Sequence, residues 1–284
     1  MNVTEAGPGL QWRVVRVETV DSDEWARRAS SFGAVAASYA QYRPDYRADA
    51  VRWCVAPVDR DLGSLRVLDL GAGTGKLTKL LVDLGADVTA VEPDDAMRAE
   101  LGHGLPTVRA LAGSAEQIPL ADGAVDAVLA AQAMHWFYLP RALPEIARVL
   151  APGGVLGALW NDEDDQVPWV AGLQRAAGDA ASPSVTQRRA GLEYFSPERF
   201  ASAQGGRPRF SAPERTEFAN GQRLTADALL RQVGTHSHVL LMEPTRRERR
   251  LAEIRAYLAT TPQTAAGEFE LPMITSVQRA VRLG

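Results

Sequence analysis

The chain has 284 residues and a formal net charge of −4, with 46% apolar and 23% charged residues, the balance of a globular protein able to bury a sizeable core. Nothing in that charge favours nucleic acid or an anionic membrane, no apolar run reaches the roughly 18 residues of a membrane span, and the single cysteine, Cys54, excludes an intrachain disulfide. The first residues lack a basic stretch followed by an apolar one, so no secretory signal is expected and a cytoplasmic location follows by elimination.

Residues 1–24 read as an N-terminal extension, with a candidate short strand at 12–17. Residues 25–39 carry a helical pattern that Pro44 interrupts by disfavouring helix at Arg43, and 45–55 read as a further helix. From 66 to 161 strands and helices alternate. Strand cores are expected near 66–70, 87–91, 107–111, 125–130 and 154–160, short and apolar as parallel strands covered on both faces should be. A helix follows the first strand over 76–84, Asp94 or Asp95 caps the next, and Pro140 or Pro144 starts the one ending near Leu150. Beyond 161 an acidic patch (162–165) precedes helix-like pieces at 168–177 and 197–203. A sixth strand is expected over 214–224, helix over 226–257 with breaks near Gly234 and Pro244, and an extended closing segment over 268–282.

The densest chemical signal lies in the first of these units. Val67-Leu68-Asp69-Leu70 opens into Gly71-Ala72-Gly73-Thr74-Gly75, and a second apolar run ends on Glu92, 23 residues after Asp69. Glycines let the backbone turn sharply and let a ligand approach closely, and an acid at the tip of the next strand can accept both hydroxyls of a ribose. A dinucleotide fingerprint needs a third glycine where Lys76 stands, and Asp69 is poor company for a pyrophosphate but suits a ligand bearing an amino group. The P-loop pattern fails for want of a Gly-Lys-Ser/Thr ending. This stretch resembles motif I of the class I S-adenosylmethionine-dependent methyltransferases.

Further motifs resemble that family in the same order. They are the turn Gly113-Ser114-Ala115-Glu116, the strand 124–129 running into Gln132-Ala133-Met134-His135-Trp136-Phe137, and the turn Pro152-Gly153-Gly154. Residues 32–44 and the His135-Trp136-Phe137 triplet are similar to a subgroup that includes trans-aconitate methyltransferase, and the close match covers roughly residues 30–160. The resemblance implies an α/β, Rossmann-like, seven-stranded, mostly parallel sheet with helices on both faces and a helical lid inserted after strand five. Its last two strands would form an antiparallel hairpin. The implied organisation is an extension (1–24), a cofactor-binding core (25–161), substrate-covering insertions including strand six (162–265) and a closing core strand (266–284).

The resemblance also implies the cofactor, S-adenosylmethionine, and no metal. Gly71, Ala72 and Gly73 would pass beneath its amino-acid end, and Asp69 would orient loop amides or, through water, the cofactor's ammonium. Glu92, beside Pro93, would hold the ribose; Ser114, Ala115 and Glu116 would bond the adenine edge. Met97 would cover one adenine face, although a methionine there is equally at home in a core. Gln132 would touch the methionine part. Arg43, with Tyr39, suits either the cofactor's carboxylate or an acidic substrate, because a guanidinium clamps carboxylates bidentately.

His135 is a candidate general base, set against a purely structural role in shaping the pocket wall. Trp136, Trp160 and Asn161, with Trp169, are candidates for the substrate side, where aromatics also serve as ordinary core. His236 and His238 read as a solvated turn, with a substrate-lid contact as the alternative, rather than as a metal pair, and 246–250 as a solvated basic face. The expected activity is methylation of a carboxylate, hydroxyl or amine of a small molecule, with neither nucleic acid nor membrane as partner. One alternative, an NAD-dependent reductase, is disfavoured by Lys76 and by the lack of a Tyr-x-x-x-Lys pair. The other is a non-catalytic cofactor-binding protein of the same fold.

Overall fold

The computed structural model describes residues 36–184, 186, 197–205 and 208–284; the strand expected at 12–17 and the helical pattern before residue 36 lie outside them. Seven strands form one sheet: β1 (Arg66–Leu70), β2 (Asp87–Val91), β3 (Arg109–Leu111), β4 (Val125–Ala131), β5 (Leu150–Glu163), β6 (Glu214–Leu224) and β7 (Phe269–Val281), in the order β3-β2-β1-β4-β5-β7-β6. The first five run parallel, and β7 lies antiparallel between β5 and β6. The chain works outward from β1 to β3 and then returns to β4, so the order reverses between β1 and β4. At such a switch point the crevice beyond the carboxyl ends of the strands is open to a ligand.

Ten helices accompany the sheet among the described residues: α1 (Ala36–Tyr42), α2 (Ala48–Val55), α3 (Lys76–Asp83), α4 (Asp95–Gly104), α5 (Leu139–Val149), α6 (Pro168–Ala177), α7 (Pro197–Gln204), α8 (Ala226–Val233), α9 (Ser237–Leu240) and α10 (Pro244–Thr260). Successive strand residues point to opposite faces. Val67, Leu129 and Leu159 pack with α2 and α3 through Val51, Cys54, Leu77 and Leu81. Leu68, Val128 and Trp160 pack on the other side with Leu143 and Ile146 of α5 and Phe200 of α7. At roughly 1.5–3 kcal/mol for each fully buried large aliphatic side chain, these two layers hold the sheet.

A third cluster stands apart from both. Leu173 of α6, Leu229 and Val233 of α8, and Ile254 and Leu258 of α10 bury themselves against Leu224, Leu271 and Met273 of β6 and β7. Helix α1 completes the arrangement: it touches α4 on one side and α8 on the other. The segment ahead of β1 thereby bridges the nucleotide half of the sheet and the helices that follow β5.

Two strand lengths differ from expectation. β5 extends over 150–163 rather than 154–160, because Leu150 already pairs with Val125 ahead of a register shift and the far end pairs with Met273. β3 is only three residues, on the sheet edge. Asp126 fixes the amino end of β4 to β1: its carboxylate receives the Arg66 backbone N–H at 2.9 Å, both Arg66 Nε and Nη2, and Arg60 Nη2 at 2.9 Å. Those guanidiniums hold it down at about 2, well below the usual carboxylate range.

Candidate cofactor and acceptor site

The glycine turn is built by backbone conformations that side chains rarely adopt. Gly71 has φ +71°, and a Cβ there would lie 2.7 Å from Ala133 Cβ, because the loop after β4 presses onto the turn. Gly73 has φ +57°, yet a Cβ built on it meets nothing within 4 Å. Packing therefore explains the first glycine, while the second borders open space of the kind a ligand can fill. The Gly71 and Ala72 amides both donate to Val91 O, at 2.8 and 3.1 Å, which locks the turn to the end of β2.

Glu92 follows directly and is 8% exposed. Its carboxylate accepts from Gly73 N at 2.8 Å and from Asp94 N at 2.9 Å. Burial raises its pKa, and those two amides pull it back down. An ionised carboxylate offers about four lone-pair sites, so two remain for the vicinal hydroxyls of a ribose. Asp94 caps α4, accepting from Ala96 N and Met97 N at 2.9 Å; Met97 is buried and Pro93 exposed.

Asp69 is 1% exposed at the end of β1. Its Oδ2 accepts from Thr78 Oγ1 at 2.6 Å, while Oδ1 is buried without a partner among the described residues, as is Thr74 Oγ1 nearby in the chain. Burial pushes the Asp69 carboxyl up to about 7; the Thr78 hydroxyl opposes this and the charge of Glu92 adds to it. A buried acid with an unused oxygen beside an open glycine turn fits a cationic amino group. These residues could hold an adenosyl cofactor bearing an amino acid, the ribose at Glu92 and the α-amino end at Asp69 and the turn.

The turn after β3 closes on itself through Ser114 N to Gln117 O at 3.3 Å and Gln117 N to Ser114 O at 3.2 Å, with Ala115 buried. Glu116 Oε1 accepts from Tyr138 N at 2.8 Å, tying this turn to the start of α5. Gln132 ends β4 in the left-handed region, φ +51°, held there by its N–H to Leu159 O and its Nε2 to Asn161 O at 2.9 Å. A non-glycine residue in this region costs on the order of 1–3 kcal/mol, and such strain gathers at functional sites. The following 3₁₀ turn, Met134–Trp136, leaves His135 and Trp136 half-buried with ring centroids 5.0 Å apart.

Three acceptor-side expectations change. Trp160 is 3% exposed and sits in the α5–α7 layer of the core, because the alternation of β5 turns it away from Leu159 and toward Phe200. Asn161 spends its side chain inside the protein: Nδ2 donates to Asp45 O at 3.1 Å, and Oδ1 accepts from Thr275 Oγ1 at 2.6 Å. It fixes the residue 45 loop to β5 and β7. Trp169 packs edge-on against Phe269 at 5.8 Å.

The segment 39–46 and the helices after β6 meet at one place. Arg43 stacks over Tyr39 at 4.8 Å from the ring centre, and its Nε and Nη2 donate to Thr235 Oγ1 and O at 3.0 and 3.3 Å. Burial lowers its pKa; the neighbouring Tyr39 and Tyr46 phenols raise it. Tyr46 has its own pKa pushed well up by burial and then by Tyr39, Asp69 and Asp162, with Arg43 opposing. His236 is 5% exposed with Nδ1 2.9 Å from Ser182 Oγ, so it is not a solvated turn. Burial, followed by Arg43 and His238, drives its pKa well down and keeps it neutral. Tyr46, Thr235 and Ser182 escape sequence reading; only the Tyr39-x-x-x-Arg43-x-x-Tyr46 spacing hints at one of them.

Among the described residues there is no cluster of His, Cys, Asp and Glu able to hold a metal and no helix long and apolar enough to cross a membrane. Residues 68–158 match the methyltransferase domain family. The chain is 41% identical to an uncharacterized methyltransferase of Mycobacterium tuberculosis, over 88% of this chain and 95% of that one. It is 31% identical to an uncharacterized methyltransferase of Schizosaccharomyces pombe, over 80% and 86%. The solved structure of a candidate type II methyltransferase from Anaeromyxobacter dehalogenans is similar with a TM-score of 0.55 and 27% identity, covering 85% of this chain and 98% of that one. Together with the glycine turn, Asp69 and Glu92 at the carboxyl edge, these similarities place the chain in the class I S-adenosylmethionine-dependent methyltransferases, with S-adenosylmethionine as its cofactor.

Proposed function

We propose that the chain methylates a small molecule seated beyond the carboxyl ends of β4 and β5, beneath α1, α6 and α8–α10 acting as a lid. The observation that supports this reading is the Arg43–Thr235 link, which ties the segment before β1 to the loop after α8. A site roofed in this way suits a compact acceptor better than a polymer.

The sulfonium of the bound cofactor supplies an activated methyl and its own leaving group. The protein then has to bind, orient and exclude water. Glu92 would hold the ribose, Asp69 the α-amino end, and Ser114 and Ala115 the adenine, while the strained Gln132 sets the loop that carries His135 and Trp136. Holding donor and acceptor in line converts a bimolecular encounter into an effectively unimolecular step. A carboxylate acceptor needs no base. For a hydroxyl or amine, His135 can take the proton.

The test is a screen of carboxylate, hydroxyl and amine metabolites, with protein and nucleic-acid pools alongside, read by S-adenosylhomocysteine release. Turnover with small molecules supports the reading, and turnover only with the polymer pools overturns it.

A further inference from the structure

Carboxylates crowd the nucleotide side of the crevice: Asp69 in β1, Glu92 directly after β2, Asp94 capping α4 and Asp95 as its first residue. Among the described residues, the cation bonded to this group is Arg98, one turn into α4. Its Nη1 donates to Glu92 O at 2.9 Å and its Nη2 to Asp95 Oδ1, with the Arg98 side chain 22% exposed. The amino end of a helix disfavours a positive charge, so α4 gains nothing from an arginine there. Asp95 is 90% exposed, and an ion pair so open to water contributes little. The bond to the buried Glu92 is the one that counts.

Glu92 is thereby held at every polar group. Its N–H donates to Leu111 O at 3.1 Å, its C=O accepts from Arg98, and its carboxylate accepts from Gly73 N and Asp94 N. The charges facing that carboxylate are Asp69 from β1, Asp94 from the cap and Arg98 from α4. The two acids oppose its ionised form, and Arg98 favours it. We propose that Arg98 is a positioning residue for the cofactor's ribose: it fixes the Glu92 backbone and sets a positive charge beside the carboxylate that accepts the two hydroxyls. This rests on the reading in which Glu92 binds the ribose.

The test is equilibrium binding, by calorimetry from about pH 5 to about pH 8, of adenosine and of 2′,3′-dideoxyadenosine to wild type, Arg98→Met and Arg98→Lys. The two nucleosides differ only in the ribose hydroxyls, and neither carries an ammonium for Asp69 to pair with. Wild type is expected to bind adenosine about tenfold or more tightly than the dideoxy nucleoside, the scale of lost charge-assisted hydrogen bonds. In Arg98→Met that ratio should fall about threefold or more at neutral pH, with binding of the dideoxy nucleoside unchanged. On acidification the variant should lose adenosine at a higher pH than wild type, because removing the cation raises the pKa of the carboxyl. Arg98→Lys keeps the charge and should keep most of the ratio. A wild-type ratio in Arg98→Met, or equal weakening of both nucleosides as a purely structural role would give, overturns the proposal. Equal binding of the two nucleosides by wild type itself would instead overturn the ribose reading of Glu92, and the proposal with it.

Discussion

The carboxylate of Glu92 receives the backbone N–H of Gly73 at 2.8 Å, so the acid at the end of β2 and the turn after β1 are set against each other within the protein itself. Gly73 sits at φ +57° with open space where a Cβ would project. Gly73→Ala should therefore cost only about 1 kcal/mol of stability, the price of a left-handed alanine. Its S-adenosylhomocysteine affinity should fall by at least about tenfold, because the methyl enters ligand space. Thermal unfolding and calorimetry on one preparation separate the two effects; unchanged affinity would show that the cofactor lies elsewhere.

Asp69 makes cofactor affinity depend on pH. With its carboxyl pushed up to about 7 by burial, it is half protonated near neutrality and pairs with an ammonium only when ionised. Affinity for S-adenosylhomocysteine should rise as pH increases through 7 and fall about tenfold per unit below it. The apo protein has the opposite dependence. A native carboxyl that keeps its proton longer than the unfolded one loses stability as pH rises from about 4 to about 7. Asp69→Asn should thus bind weakly with a flat pH profile, yet melt higher than wild type at pH 8. Equal melting temperatures at pH 8 would contradict the buried, unpaired oxygen.

Most of the sheet was legible in the sequence. Short apolar runs bounded by Gly, Pro and Asp are what parallel strands covered on both faces require, and β1 and β2 lie where those runs place them. The glycine turn and Glu92 were legible because their spacing is itself the geometry of the crevice. The acceptor side was not. Trp160 and Asn161 stand next to each other at a strand end, and which one faces a core depends on partners at Phe200 and Thr275 that no local pattern announces. Arg43 meets Thr235 across 192 residues of sequence, and His236 is buried because the turn between α8 and α9 folds against Ser182. Contacts of such separation are fixed by topology rather than by neighbouring residues.

The Arg43–Thr235 bond predicts a coupling between α1 and the lid. Thr235→Val removes the acceptor of Arg43 Nε, and leaving a half-buried guanidinium short of a partner costs roughly 1–3 kcal/mol. Hydrogen exchange in 36–42 and in α8 should accelerate together in this variant, with weaker S-adenosylhomocysteine binding. Faster exchange in only one of the two would mean that they are not coupled.

Asp126 supplies stability without touching the site. Its carboxyl lies at about 2 because Arg66 and Arg60 bind its ionised form, so this contribution is fully present above about pH 4 and is lost as pH falls from there toward 2. Asp126→Asn should lower the unfolding free energy at pH 7 by about 2 kcal/mol, and by less than about 0.5 kcal/mol at pH 2. Chemical denaturation at the two pH values checks this, and a deficit of equal size at both would assign the effect to packing rather than charge.

The central claim is that Glu92 and the turn it holds bind S-adenosylmethionine. Calorimetric titration of S-adenosylhomocysteine, and of NADH as the rival ligand, into wild type and Glu92→Ala tests it most directly. Two charge-assisted hydrogen bonds at roughly 1.5–3 kcal/mol each predict a loss of on the order of a hundredfold or more in the variant, with no NADH binding to either protein. Near wild-type affinity in Glu92→Ala, or binding of NADH alone, would contradict it.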